Sequence, residues 1–261
     1  MKLRLLQFNY LDGGTKTEGS SPWDKQISDI IVDSGADISV LCETNDPHST
    51  PPADRFTAVA DRLPPEFVAR RQFTYPANRY PLAIVAKFPL ISWQAWDSAN
   101  TSVDIRKVIF EAQLDVLGRR IFVFGYHAWP RKDEEGTGIR VKEAEFLASR
   151  LNSRSGQPRF AIGDFNTIAE GEGERDEGRI TNLMREAGYV DCFREVYPDI
   201  AAHRGQTVVK NPNRIDYIFR AGDVAGLKCA DCVVYTKLPE GATAFPSDHY
   251  ALYADVVLPT L

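Results

Sequence analysis

The chain has 261 residues, 43% hydrophobic and 26% charged, which places it among ordinary soluble globular proteins rather than disordered or fibrous ones. Its formal net charge of −5 excludes a global basic field for nucleic acid, although a metal ion and a local Arg/Lys cluster can still hold a phosphate. No window approaches the ~18 uninterrupted apolar residues that a membrane span requires.

The first element, Leu3 to Asn9, reads as a strand; Gln7, Asn9 and Asp12 interrupt it too early for a signal peptide. An amphipathic stretch from Trp23 to Ser34 precedes a second apolar run, Ile38 to Cys42. Strand-length runs continue at Leu82 to Lys87, Ile105 to Val116 and Arg120 to Tyr126, the last two flanking Leu117-Gly118-Arg119 as a hairpin. Gly138 to Leu151 carries an apolar stripe at helical spacing through Ile139, Val141, Phe146, Leu147 and Leu151. Between helix and later strands, Ala169 to Arg179 is a Gly/Glu-rich loop without EF-hand spacing, read as solvated. Arg159 to Gly163, Ile215 to Arg220, Cys229 to Tyr235 and Tyr250 to Val257 complete the strands.

Many strands and few helices predict an α+β layered sandwich, two packed sheets with helices outside. No Gly/Ser/Pro-rich linker divides the chain and no repeat of 20–50 residues is present, so residues 1–261 read as one domain. Cysteines stand at 42, 192, 229 and 232. Cys229 and Cys232 have C-x-x-C spacing without a second pair, which suits reduced structural thiols in a reducing, cytoplasmic setting.

Polar residues recur where apolar strands end. Asn9 closes the first run, Glu43 the second and His127 the run through Tyr126; Asp164 and Asn166 follow Phe160-Ala161-Ile162-Gly163. Asp216 lies in Arg214-Ile215-Asp216-Tyr217-Ile218, and Ser247-Asp248-His249 precedes the last run. Carboxylates, amides and imidazoles gathered at strand ends are the groups that activate water and stabilise charge on a phosphoryl centre. No G-x-S-x-G or Cys-His signature offers a competing nucleophile.

The order Asn9, Glu43, His127, Gly163-Asp164-Phe165-Asn166, Arg214-Ile215-Asp216-Tyr217-Ile218 and Ser247-Asp248-His249 resembles the endonuclease/exonuclease/phosphatase superfamily, over residues 3 to about 257. The resemblance implies a DNase I-like four-layer sandwich of two mainly antiparallel sheets flanked by helices. It also implies a phosphoesterase dependent on Mg²⁺, with Mn²⁺ as a substitute. Glu43, with Asn9 and Asp248, is expected to hold the cation, since ionised carboxylates are acceptor-only ligands suited to hard divalent ions. Asp164 is expected to orient or deprotonate the attacking water, with Asn166 holding phosphate or water. His249 would contact a phosphate oxygen, oriented by Asp216; the competing reading of Asp216 is a salt bridge to Arg214. His127 resembles the family's second histidine, a phosphate ligand.

The family includes nucleases, deadenylases, sphingomyelinases and inositol polyphosphate phosphatases, so specificity is expected in loops around the cleft. Leu11 to Trp23, Trp129 to Gly138 and Val196 to Asn213 are the candidates. Trp129 could stack on a base or ring, and Arg131, Lys132, Arg204, Lys210 and Arg214 could form a phosphate-binding rim. The expected substrate is a phosphodiester in DNA, RNA or a nucleotide. The alternatives are a phosphomonoester of a small molecule and a non-catalytic binding module, and no obligate protein partner is evident. Two departures stand out: Tyr75-Pro76-Ala77-Asn78 replaces the Gly-rich stretch of abasic-site endonucleases, and Tyr10-Leu11-Asp12-Gly13-Gly14 follows Asn9.

Overall fold

Strand β1 (Lys2–Asn9) alternates two apolar faces, and that alternation sets the layers. Leu3 and Leu5 enter the large core between the two sheets, whereas Leu6 and Phe8 enter a smaller core with Ile27, Ile30 and Ile31 of helix α1 (Asp24–Asp33). Strand β2 (Ile38–Cys42) repeats the division: Ile38, Val40 and Cys42 face the large core, and Leu41 the small one. Burying each such side chain stabilises by ~1.5–3 kcal/mol. A strand buried on both faces reads as a nearly continuous apolar run, broken here only by Arg4 and Gln7 inside β1 and Ser39 inside β2, which is why both were legible in the sequence.

The computed structural model describes residues 1–11, 23–46, 53–75, 78–169, 171–173 and 178–259. After β2 come the two-residue strands β3 (Asn45–Asp46) and β4 (Ala53–Asp54), helix α2 (Phe56–Ala60), and strands β5 (Ala69–Tyr75), β6 (Asn78–Ala86) and β7 (Leu90–Trp96). Strands β8 (Ile109–Val116) and β9 (Arg119–His127) form the expected hairpin. Its two-residue turn, Leu117-Gly118, has φ of 54° and 82°, the two positive values that match the twist of a tight hairpin. Helix α3 (Glu134–Asn152) follows, then β10 (Arg159–Asp164), α4 (Arg179–Glu186), β11 (Tyr189–Asp191), α5 (Cys192–Val196), β12 (Asp216–Ala221), β13 (Lys228–Tyr235) and β14 (Ala251–Val257).

Among the described residues the strands form two six-stranded sheets, β13-β14-β1-β2-β6-β5 and β11-β12-β10-β9-β8-β7, and β3 and β4 pair separately. The pairs β1–β2 and β9–β10 are parallel and the rest antiparallel, so the sheets are mixed but mainly antiparallel, as expected. Helices α1 and α2 supply the small core outside the first sheet, while Leu147 and Leu151 of α3 and Ile180 and Met184 of α4 extend the large one. The expected four-layer sandwich is the observed architecture.

Edge strands account for what the sequence hid. In β7 four residues of seven, Ile91 to Gln94, are exposed, and β5 reads Ala-Arg-Arg-Gln-Phe-Thr-Tyr; neither forms an apolar run. Helix α3 begins four residues before the predicted start because Asp133 caps it, accepting from the Gly136 amide at 2.8 Å. Strand β8 begins at Ile109 rather than Ile105, which leaves Arg106 and Lys107 in the segment before it. The four cysteines are free and buried.

Candidate active site

Strand register lines up the polar strand ends. Asp164 pairs with His127 across the parallel β9–β10 ladder and with Asp216 across the antiparallel β10–β12 ladder. Directly opposed residues share a sheet face, so the three side chains stand in a row. Asn9 is in phase with Leu3 and Leu5 on β1 and therefore points between the sheets, where its Nδ2 donates to Asp164 Oδ2 at 3.1 Å and to Glu43 Oε1 at 3.4 Å. His127 Nε2 lies 3.5 Å from both Glu43 Oε1 and Asp164 Oδ2. His249 Nδ1 is 2.9 Å from Asp216 Oδ2, so Asp216 pairs with the histidine, while Arg214 pairs with Glu172 and Asp191.

Local chemistry fixes each turn. Gly163 is required because a Cβ there would lie 1.7 Å from the Tyr126 carbonyl oxygen on the next strand. Phe165 sends its ring among Tyr126, Tyr217 and Phe219, anchoring the turn in the core while its neighbours face the cleft. Asn166 takes a left-handed φ of 47°, its amide N–H donates to Asp164 Oδ1 at 2.8 Å, and its Nδ2 donates to the Ala128 carbonyl at 3.2 Å. Glu43 also has a left-handed φ, 59°, which costs a residue without Asn-like local bonding and is concentrated at functional sites. Ser247 Oγ donates to the Asn9 carbonyl at 2.6 Å and accepts from the His249 amide at 3.0 Å, tying the start of β14 to the end of β1.

Burial and neighbouring charge set the protonation pattern. Burial and the Asp216 carboxylate raise Asp164 to about 6, against the opposing pull of His249 and Lys107. Burial alone would lower His249, but Asp216, with Asp164 and Asp248, holds it up at about 10. The imidazole is thus a cation at neutral pH. His127 goes the other way: burial, Lys107 and His249 depress it well below its ordinary value, leaving it neutral. Asp164, Asp216 and His249 bring one ligand atom each within 4.8 Å of one another. Asp248 stands at the mouth, its side chain 48% exposed and its Oδ1 3.9 Å from His249 Nε2.

One member of the predicted rim is enclosed. Arg214 is 1% exposed, bonded to Glu172 Oε1 and Asp191 Oδ2 at 2.6 Å each and stacked over Tyr217. A guanidinium so enclosed cannot reach a substrate, so its assignment to substrate binding is corrected to an internal tie. Glu172 corrects the solvated reading of its loop: it is gripped by Arg194 and Arg214, while residues 170 and 174–177 lie outside the described residues. Arg131 is exposed and engages Asp133 and Glu135 at the start of α3. Lys132, Arg204 and Lys210 are exposed. Trp129 is half-buried, with Arg106 5.9 Å from its ring. In the candidate loop Leu11 to Trp23, residues 12–22 lie outside the described residues, as do Pro76 and Ala77.

Two residues at the site went unnoticed in the sequence. Lys107 is 4% exposed, with its Nζ 3.3 Å from His127 Nδ1 and in direct contact with Nε2. Burial lowers its pKa, while Glu43 and Asp164 oppose that shift. A lysine set between Ile105 and Val108 inside an otherwise apolar run was the signal that could have found it. Thr207 is fully buried; its Oγ1 accepts from the Ile215 and Asp216 amides at 3.1 and 3.3 Å, and its carbonyl accepts from the Tyr250 amide at 2.7 Å. It holds the Asp216 and His249 segments together, and nothing local in the sequence marks it.

Comparison with known proteins settles the class. The model of the Endonuclease/Exonuclease/phosphatase family matches residues 6–249, from β1 to the histidine paired with Asp216. The chain belongs to this family. Among solved structures, an endonuclease/exonuclease/phosphatase from Beutenbergia cavernae aligns with a TM-score of 0.77 at 16% identity, covering 98% of this chain and 72% of that one. D. rerio TDP2, solved with a single-strand DNA product, aligns at 0.75 and 13% identity, covering 98% and 99%. The mannosyl-6-phosphatase Bt3783 of Bacteroides thetaiotaomicron aligns at 0.71 and 15% identity, covering 98% and 100%. These likenesses are of fold. An uncharacterised Caenorhabditis elegans protein is 26% identical over a part covering 38% of this chain, and the match spans 40% of that protein's length. Among the described residues no helix is long and apolar enough to cross a membrane.

Proposed function

We propose that the protein is a divalent-metal-dependent phosphoesterase that hydrolyses a phosphodiester in nucleic acid or a nucleotide. The observation that carries the reading is the convergence of Asn9, Glu43, His127, Asp164, Asp216 and His249, drawn from both sheets, on one buried spot. That spot has a carboxylate surplus: Glu43, Asp164, Asp216 and Asp248 face two cations, His249 and Lys107. Asp216 Oδ1 is buried with no hydrogen-bond partner among the described residues, and Asp164 is raised partly because Asp216 faces it. Carboxylates left facing one another in this way fit a bound cation. Glu43 with Asn9 and Asp248 would hold Mg²⁺ or Mn²⁺, which when bound supplies Lewis-acid stabilisation of charge on the phosphoryl oxygens.

The chain's own groups supply the rest. Asp164, ionised above about pH 6, accepts a proton from the attacking water, and the Asn166 amide fixes that carboxylate through Oδ1. His249, kept cationic by Asp216, donates from Nε2 to a phosphoryl oxygen, since its Nδ1 is occupied. Lys107 and neutral His127 face the same oxygens from the far side, and the Asn9 amide adds a fixed dipole. Attack in line with the leaving group needs positioning and charge stabilisation more than covalent chemistry.

A second reading, hydrolysis of a phosphomonoester on a small molecule, gains from Lys107, because a buried lysine against His127, in addition to cationic His249, suits a dianionic group. A panel of DNA, RNA, dinucleotide, sugar-phosphate, inositol-phosphate and lipid-phosphate substrates, assayed with Mg²⁺ and Mn²⁺, separates the two. Turnover of diesters supports the first reading and turnover of monoesters alone the second. Activity that survived both chelation and Asp164→Ala would overturn the mechanism.

A further inference from the structure

Helix α3 takes no part in the chemistry above, yet its middle buries a carboxylate with no exposed surface, Glu143. Glu143 Oε1 accepts from the Arg106 amide at 2.9 Å, and Oε2 accepts from the Tyr126 hydroxyl at 2.8 Å. The Trp129 amide also donates to it. One turn earlier, the fully buried Arg140 donates through Nη1 to the Trp129 carbonyl at 2.9 Å and to the Arg131 carbonyl. The helix thus presents an acceptor for amides of two backbone segments and a donor for carbonyls of the second. One segment carries Lys107 and the other His127, and those two side chains meet in the cleft.

A carboxylate is an expensive way to fill a core. Burial pushes Glu143 up to about 7 despite its three donors, and an apolar residue of similar size would pack without that cost. Its three bonds go to two segments far apart in sequence, 37 residues from Arg106 and 17 from Tyr126, that must arrive in register for Lys107 and His127 to share a phosphate. We infer that Glu143 is a positioning residue that sets the Lys107–His127 pair of the candidate site. The inference rests on the phosphoesterase reading and adds a residue to it.

The expected result for Glu143→Ala is a ~10- to 100-fold fall in kcat with a smaller change in KM, the scale of a group displaced by about 1 Å. Glu143→Gln keeps an acceptor for the Arg106 amide and should recover most of that loss. Tyr126→Phe deletes one bond to the carboxylate and carries the test if the alanine variant does not fold; kcat should fall severalfold. A folded Glu143→Ala or Tyr126→Phe enzyme with wild-type kcat would overturn the inference, as would a glutamine variant no better than alanine. A second readout needs no turnover: the imidazole NMR resonances of His127 should move in Glu143→Ala and stay near wild type in Glu143→Gln. If the wild type hydrolyses no phosphate ester, the phosphoesterase reading fails; if the His127 resonances do not respond to Glu143→Ala, the positioning role fails.

Discussion

Two buried ionic clusters flank the tripeptide Arg214-Ile215-Asp216, and they are built differently. On the Arg214 side, two guanidiniums, Arg194 and Arg214, meet two carboxylates, Glu172 and Asp191, with ion-pair distances of 2.6 to 2.7 Å. On the Asp216 side, carboxylates outnumber cations and a buried carboxylate oxygen has no partner among the described residues. A charge-balanced cluster is internal bracing, and breaking it costs stability even though Arg214 Nη1 also lacks a hydrogen-bond partner among the described residues. An unbalanced one holds charge for something that arrives later. Residues two apart in sequence therefore serve opposite ends, and motif position alone does not tell them apart.

The contrast can be broken at either cluster. Asp164→Asn should cut metal-dependent hydrolysis by ~10²–10⁴-fold in initial-rate assays, as expected for losing a positioned acid–base group. The same change should leave the metal-free protein no less stable at pH 7.5 and raise its unfolding free energy by about 1–3 kcal/mol, because an ionised carboxylate beside Asp216 is removed. Arg214→Met should do the reverse. Denaturant unfolding should show a loss of about 3–5 kcal/mol from leaving Glu172 and Asp191 unpaired, with activity of the folded enzyme changed far less.

Metal addition sharpens the same distinction. Mg²⁺ or Mn²⁺ at a hundred times its dissociation constant should stabilise the wild type by ~2.7 kcal/mol, read as a rise in Tm. The shift should persist in Arg214→Met and shrink in Glu43→Gln; a wild type with no shift would sink the metal-binding proposal.

For pH, His249 is raised in the folded state from its ordinary 6.5 to about 10. Its pairing with Asp216 therefore contributes fully below pH 6.5 and is lost as pH rises through 10. Unfolding titrations should show that decline, and Asp216→Asn should flatten it. The smallest effect belongs to Arg131→Ala: this exposed residue has only local partners, and kcat/KM should stay within about twofold.

The residues of the cleft were legible because most sit where a buried apolar strand stops. Asn9, Glu43, His127 and Asp164 stand at strand ends as read, since a doubly buried strand advertises its length and its terminus, whereas Asp216, read inside a run from Ile215, opens β12. Lys107 escaped because the apolar run around it looked like strand when only residues from Ile109 onward pair. Arg214 was misread for a related reason: a guanidinium beside a motif looks available until its partners are known, and Glu172 and Asp191 are distant in sequence. Edge strands β5 and β7 carry too little apolar periodicity to be read, and helices α4 and α5 are only eight and five residues long.

By itself the sequence determined the layered α+β architecture and the chemical types at the cleft, because burial periodicity and strand termini are local properties. It did not determine which charges cancel. That depended on register, which sets Asp164 between His127 and Asp216, and on packing, which encloses Arg214 while leaving Asp216 Oδ1 unsatisfied among the described residues. Electrostatic balance is a sum over neighbours brought together from across the chain, so only the tertiary structure decided which buried ions brace the protein and which face the cleft.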